Sequence, residues 1–271
     1  MKVRRMAFFA RLALALLASA GCAHHGAPTS LGDVLIRNRA ATWGGNEPSA
    51  IRSLEYEIHI KEPKFELDGI YKVNKLGQMR IDLYSGGRRV YTEGFDGHRG
   101  WAVDAQGKAS DESPTGSAAL WHGTQFPGKI FDLDELPAHG HRLEGGGRES
   151  IGGVDYHVVK IVLSDGFETY RYLNPTTFLI ERGRDFRAMH PALDAKASWL
   201  EIVWTDYRPV AGVMRSFGET VTDLATGQWK QSMTVKSIRV NPEFDPELFQ
   251  RPRSKSPDRL AVVKALLAFT Q

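Results

Sequence analysis

Four short stretches of this chain hold residue types at spacings that could do chemistry. Gly123-Thr124-Gln125-Phe126-Pro127-Gly128-Lys129 spells the first seven positions of a phosphate-binding loop. Ile130 then stands where a hydroxyl should hold Mg²⁺, Pro127 removes a backbone N–H from the cradle, and no apolar strand leads in. His139-Gly140-His141 offers two imidazoles, but no HExxH motif or third ligand lies near it. Asp132, Asp134 and Glu135 lack the glycine and the closing glutamate of a calcium loop. His24-His25 reads as a solvated pair beside Gly26 and Pro28. There is no GxSxG elbow, and the single cysteine, Cys22, has no partner for a disulfide. These residues favour no catalytic reaction, no cofactor and no metal.

Cys22 takes its meaning from what precedes it. Lys2, Arg4 and Arg5 make a cationic start, Leu12 to Leu17 an apolar run, and Ala18, Ser19, Ala20 and Gly21 a small-residue end. That is the layout of a secretory leader over residues 1–21, too short to span a bilayer. Ser19-Ala20-Gly21-Cys22 resembles the lipobox of bacterial lipoproteins, with Ser19 where Leu is usual. The resemblance implies cleavage before Cys22, a diacylglycerol on its thiol and a fatty acyl group such as palmitate on the new amine. Several acyl chains on one residue anchor far more firmly than one. Residues 22–30 then form a flexible tether of at most roughly 30 Å, at about 3.3–3.6 Å per residue.

The 271-residue chain carries a formal net charge of +3. Loss of the leader removes four basic residues (Lys2, Arg4, Arg5, Arg11) and no acids, so the charge falls by four to −1. No polybasic case remains for nucleic acid or for anionic lipid. The rest suits one large β domain or two small domains and can bury a sizeable core.

The elements can be read from periodicity. Ser30 caps a first helix, with Asp33 at the third helical position and Gly44-Gly45 at its end. The period then changes from 3.6 to 2. Leu54, Tyr56, Ile58 and Ile60 alternate with polar residues; Phe65, Leu67, Gly69, Tyr71 and Val73 do the same, as do Met79, Ile81 and Leu83. Shorter strands follow over Val90–Phe95 and Gly100–Asp104, and connections this short make a meander. Ala105 to Gly147 shows little alternation, one short helix over Ser117–His122, and apolar residues from Leu120 to Leu136 that must pack somewhere. The glycine groups 145–147 and 152–153 read as turns. Six more strands are expected over 156–163, 167–173, 177–182, 199–207, 213–222 and 228–240, eleven in all. Ser256 and Pro257 start a last helix in a tail over 253–271, with Leu260, Val263 and Leu267 along one stripe.

This order resembles the outer-membrane lipoprotein carrier and receptor superfamily (LolA/LolB-like, with the outer-membrane lipoprotein-sorting proteins). Local sequences carry the likeness. Glu149-Ser150-Ile151-Gly152-Gly153-Val154-Asp155-Tyr156 resembles the family's E-x-x-x-G-x-x-Y lead into the sixth strand. Tyr172-Leu173-Asn174-Pro175-Thr176-Thr177 resembles a strand-turn signature, and Tyr207-Arg208-Pro209-Val210-Ala211-Gly212-Val213 a hairpin. Val240-Asn241-Pro242-Glu243-Phe244-Asp245-Pro246-Glu247-Leu248-Phe249 resembles the closing segment.

The resemblance implies a mainly β fold over residues 31–252: an open, curved antiparallel sheet, an unclosed barrel with a few helices in its mouth. It also implies a non-catalytic protein that binds lipid or acyl chains on the concave face. The expected lining is Tyr56, Ile58, Leu67, Tyr71, Ile81, Leu83 and Trp101, with Trp121 and Phe126 in a lid. Alternation alone does not separate a cavity from a solid core. The partners implied are a membrane through acylated Cys22 and lipid or lipoprotein acyl chains. A periplasmic protein held by the same scaffold is the other reading, a sensor rather than a carrier. Ala23, where Asp would favour inner-membrane retention, implies the outer membrane, facing the periplasm.

Overall fold

The computed structural model describes residues 29–191 and 194–252. The expected leader, Cys22, the expected tether up to Pro28 and the helix expected after Ser256 lie outside the described residues. Helix α1 (Leu31–Trp43) begins as its sequence implies: the Asp33 N–H donates to Ser30 Oγ at 3.1 Å and its carboxylate accepts in return. Gly44 ends the helix in the left-handed region at φ 54°.

Thirteen strands follow: β1 (Ser53–Glu62), β2 (Phe65–Asn74), β3 (Met79–Ser85), β4 (Arg88–Phe95), β5 (Gly100–Val103) and β6 (Ala109–Asp111) come first. Helix α2 (Pro114–Gln125) and a 3₁₀ segment (Leu133–His139) separate them from β7 (Arg142–Ile151), β8 (Val154–Val162), β9 (Glu168–Leu173), β10 (Ile180–Arg187), β11 (Ser198–Val210), β12 (Val213–Asp223) and β13 (Trp229–Val240). All thirteen join one antiparallel sheet in the order β6-β5-β4-β3-β2-β1-β13-β12-β11-β10-β9-β8-β7.

The sheet exceeds the eleven expected strands by β6 and β7, its two edges. β6 is three residues of Ala-Ser-Asp, too short and polar to alternate. β7 contains Gly145, Gly146 and Gly147, which lie in the strand at a register shift and are not a turn. Gly146 is needed there, since a Cβ would come within 2.8 Å of Val158. β10 also starts later than alternation implies, because Asn174 Oδ1 accepts from the amides of Thr176 and Thr177 and holds a turn.

Two meanders, β1–β6 and β7–β13, therefore meet at the β1–β13 pair, which leaves β6 and β7 far apart in the sheet though consecutive in the chain. Residues 112–141 must cross from one edge to the other. Ser117 Oγ of α2 accepts from the Gly100 N–H on β5 at 2.9 Å, while His122 of the same helix hydrogen-bonds Asp165 in the β8–β9 turn at 2.7 Å. In a flat sheet β5 and β8 would stand roughly 48 Å apart, ten spacings of about 4.8 Å. Five residues of helix rise about 7.5 Å. The sheet is accordingly curled almost into a barrel, and the crossing segment lies over its inner face.

That face holds the main core. Leu54, Ile58, Val73, Val159, Ile161, Leu173, Val213 and Val235 from the strands pack with Val34 and Trp43 of α1 and with Ile130, Phe131, Leu133 and Leu136 of the crossing segment.

Candidate ligand-binding face

Register pairs define the floor. Tyr56 faces Tyr71 and Ile81 across β1–β3; Ile58 faces Gly69 and Leu83; Ile60 faces Leu67 and Met233. The expected lining residues Tyr56, Ile58, Leu67, Tyr71, Ile81 and Leu83 thus share the inner face. Gly69 is the small residue of this row: a Cβ would lie 2.9 Å from Ile58 Cγ1 and 3.2 Å from Leu83 Cδ2. Tyr56, Ile58 and Tyr71 are buried, whereas Leu67, Ile81 and Leu83 are only half-buried, as are Met233 and Trp204. The floor is therefore closed over its middle and open toward the end where β1 turns into β2.

Trp101 is not part of it. It pairs with Gly94 on β4 and projects from the opposite, convex face, where a Cβ on Gly94 would strike the indole at 2.4 Å. Its Nε1–H donates to the Phe249 carbonyl at 2.8 Å, under a 3₁₀ turn (Pro246–Phe249) that runs back over the sheet. Sequence parity failed here because β5 is four residues long and buried on both faces. Nothing in its sequence indicates which alternate set faces inward.

The crossing segment forms a roof. Ile130, Leu133 and Leu136 are fully buried against the floor, so in this state the protein's own residues occupy the face expected to hold a ligand. Trp121 and Phe126 are half-buried and pack on the same core. Trp121 also lines an open cleft of about 350 Å³ with Phe95, His98 and Ser117. The burial of the apolar groups from Ile130 to Leu136 turns them away from solvent and from any protein docking on that loop.

Polar contacts latch the roof. Arg215, 3% exposed on the inner face of β12, donates through Nη1 to the carbonyls of Gly128, at 2.8 Å, and Lys129, and stacks on Trp43. Arg39 of α1 pairs with Asp134 at 3.0 Å, and Lys75 of the β2–β3 turn with Glu135 at 2.6 Å. Gly123–Lys129, the look-alike phosphate loop, thus offers backbone carbonyls to a guanidinium. His139 and His141 also separate: His139 is exposed beside Phe131. The buried His141 ring accepts the Ser164 N–H at Nδ1 and so donates from Nε2 to Gln125. Burial and then the nearby His139 hold its pKa below the usual histidine value.

Two acids on this face titrate near neutrality. Burial, reinforced by the charge of Glu112, pushes Glu93 opposite Ile81 up to about 7. Burial likewise pushes Asp132 in the roof up to about 7, although the Leu133 N–H bonded to its Oδ1 acts the other way. Its second oxygen, Oδ2, is buried without a partner among the described residues.

Sequence reasoning missed charged members of the inner face, among them Arg215, Arg171 and Asp185. Their signal was present as parity, since Arg215 stands between Val213 and Phe217 in one alternate set, and Arg171 is two residues before Leu173.

No protein-family model matches the chain, and no curated protein does. Solved structures share its architecture, among them the following three. An outer membrane lipoprotein-sorting protein domain from Vibrio parahaemolyticus aligns at TM-score 0.54 and 12% identity, over 80% of this chain and 95% of its own. A DUF1329 family protein from Desulfovibrio piger aligns at 0.52 and 13%, over 82% and 97%. A LolA superfamily protein from Nitrosomonas europaea aligns at 0.51 and 12%, over 83% and 99%. At such identities the likeness carries the fold alone: this chain has the open, curled β fold of the LolA superfamily.

Proposed function

We propose that the protein is a non-catalytic, membrane-anchored lipoprotein that binds a lipid or an acylated ligand on the inner face of its sheet. The observation that carries this reading is the roof. A purely structural core needs no separate segment crossing the mouth, held by ion pairs at its rim and by carbonyl contacts to one buried arginine. The floor is half-exposed where the roof ends, so an acyl chain can enter beside Leu67, Leu83 and Met233 and displace Ile130, Leu133 and Leu136. Each methylene it buries contributes about 0.8 kcal/mol. The exchange is of hydrocarbon for hydrocarbon, which keeps it close to balance and reversible, as transfer requires.

The anchor is Cys22, acylated after the leader is cut, with Ala23 directing the protein to the outer membrane and its domain toward the periplasm. The tether of about nine residues keeps it near that membrane, a receptor's place rather than a shuttle's. Cys22→Ser should leave the protein soluble or uncut; normal cleavage with retention in the outer membrane would end the lipoprotein reading. Soluble protein released this way should enhance the fluorescence of an apolar probe, and a fatty acid should reverse the enhancement. No probe binding at micromolar protein refutes the acyl-binding face. Cross-linking in membranes tests the sensor alternative, which predicts a stoichiometric protein partner in place of co-purifying lipid.

A further inference from the structure

On the inner face of β9 and β10, where an acyl-binding floor should be apolar, the chain places a buried charge cluster. The Arg171 side chain is 1% exposed. Its Nη1 donates to Thr169 Oγ1, to the Tyr170 carbonyl at 3.0 Å and to Asp185 Oδ1 at 3.2 Å. The guanidinium stacks against Trp204 at 5.4 Å and against Phe126 of the roof at 4.7 Å. Gly183 makes the slot possible, since a Cβ there would stand 2.8 Å from Trp204 and 2.9 Å from Arg171 Nη1. Trp204 is fixed by its own bond to Glu219, which takes the indole N–H at 2.9 Å.

Arg171 Nε is buried with no partner among the described residues. Arg187, two positions beyond Asp185 on the same face of β10, repeats the pattern. Its Nε is also buried and without a hydrogen-bond partner among the described residues, 3.5 Å from Asp185 Oδ2 and outside hydrogen-bonding geometry. Asp185 also accepts from Thr169, so one carboxylate serves two guanidiniums and a hydroxyl. The trio of Arg171, Arg187 and Asp185 carries one positive charge in excess and two unspent N–H donors. A planar guanidinium presents its donors in the geometry of a carboxylate or phosphate.

We propose that Arg171 and Arg187 form a head-group subsite, which takes the carboxylate or phosphate of an amphiphile whose hydrocarbon lies on the floor. The inference rests on the acyl-binding reading and adds the class of ligand: an anionic, not a neutral, lipid. Phe126 covers both the guanidinium and the adjoining core, so displacement of the roof uncovers the cation and the floor together.

The test uses soluble Cys22→Ser protein and displacement of an apolar fluorescent probe by oleate, oleoyl lysophosphatidate and uncharged monoolein. At least one anion should bind about 10- to 100-fold tighter than monoolein, the scale of a hydrogen bond to a charged group. Whichever anion binds tighter identifies a carboxylate or a phosphate head. Arg171→Gln should collapse the preference while monoolein affinity stays put. Should that variant fail to fold, Arg187→Gln on the part-exposed partner should reduce the preference, and Asp185→Asn, which removes the competing carboxylate, should widen it. Equal binding of all three lipids, or a preference that survives these substitutions, overturns the subsite and leaves the acyl-binding face standing. Failure of every lipid to displace the probe removes that face itself.

Discussion

Replacing Arg215 with methionine separates a roof that moves from a roof that is only core. The thioether keeps most of the apolar stem packed on Trp43 but deletes the donor to the carbonyls of Gly128 and Lys129. A hydrogen bond from a charged donor contributes about 1.5–3 kcal/mol. Opening the roof outright would expose Ile130, Phe131, Leu133 and Leu136 at about 1.5–3 kcal/mol each, a larger sum, so the unliganded variant stays mainly closed. Its closed state is nonetheless weaker by about 2 kcal/mol or more. For a domain of this size that lowers the Tm by about 4–8 °C. If acyl binding requires the open state, the same 2 kcal/mol raises apparent probe affinity by about 30-fold, because the competent fraction rises by that factor. Amide exchange over residues 126–136 should accelerate beyond that of the β1–β2 strands. A variant with lowered Tm, but with wild-type probe affinity and no selective exchange in 126–136, would refute the latch and make Arg215 an ordinary core residue.

Two further outcomes follow from the geometry. Glu93 and Asp132 hold their protons more tightly in the folded than in the unfolded chain, so their contribution to stability is complete below their unfolded pKa values and is lost as pH rises toward about 7. Urea midpoints should fall between about pH 4 and 7, and Glu93→Gln with Asp132→Asn should flatten that slope; a slope unchanged in the double variant contradicts the assignment. Trp101→Phe removes the donor to the Phe249 carbonyl and should cost about 1 kcal/mol in urea denaturation while leaving probe affinity untouched. A weaker probe would return Trp101 to the binding face.

Much of the fold was legible because its signals are local. The capping box at Ser30 and Asp33, the two-residue period of β1 to β3 and the polar turns report geometry that neighbouring residues impose on one another. Strand pairing within each meander follows from short connections. The edges were illegible for the same reason: β6 has too few residues to show a period, and in β7 a glycine bulge erases it.

The sequence by itself determined that this is a β protein of alternating strands with one long apolar interruption. It also settled which residues of β1, β2 and β3 share a face, since parity is intrinsic to a strand. Only the tertiary structure decided what that face meets. The distance between β5 and β8 is a property of the sheet's curl, and so is the crossing of α2 between them. Trp101 passed to the convex side because the inward set of a four-residue strand is chosen by its neighbours. Arg171, Arg187 and Asp185 came together for a similar reason: charge compensation in a buried site is a matter of angstroms in space, which residues 14 and 16 apart in the chain do not express.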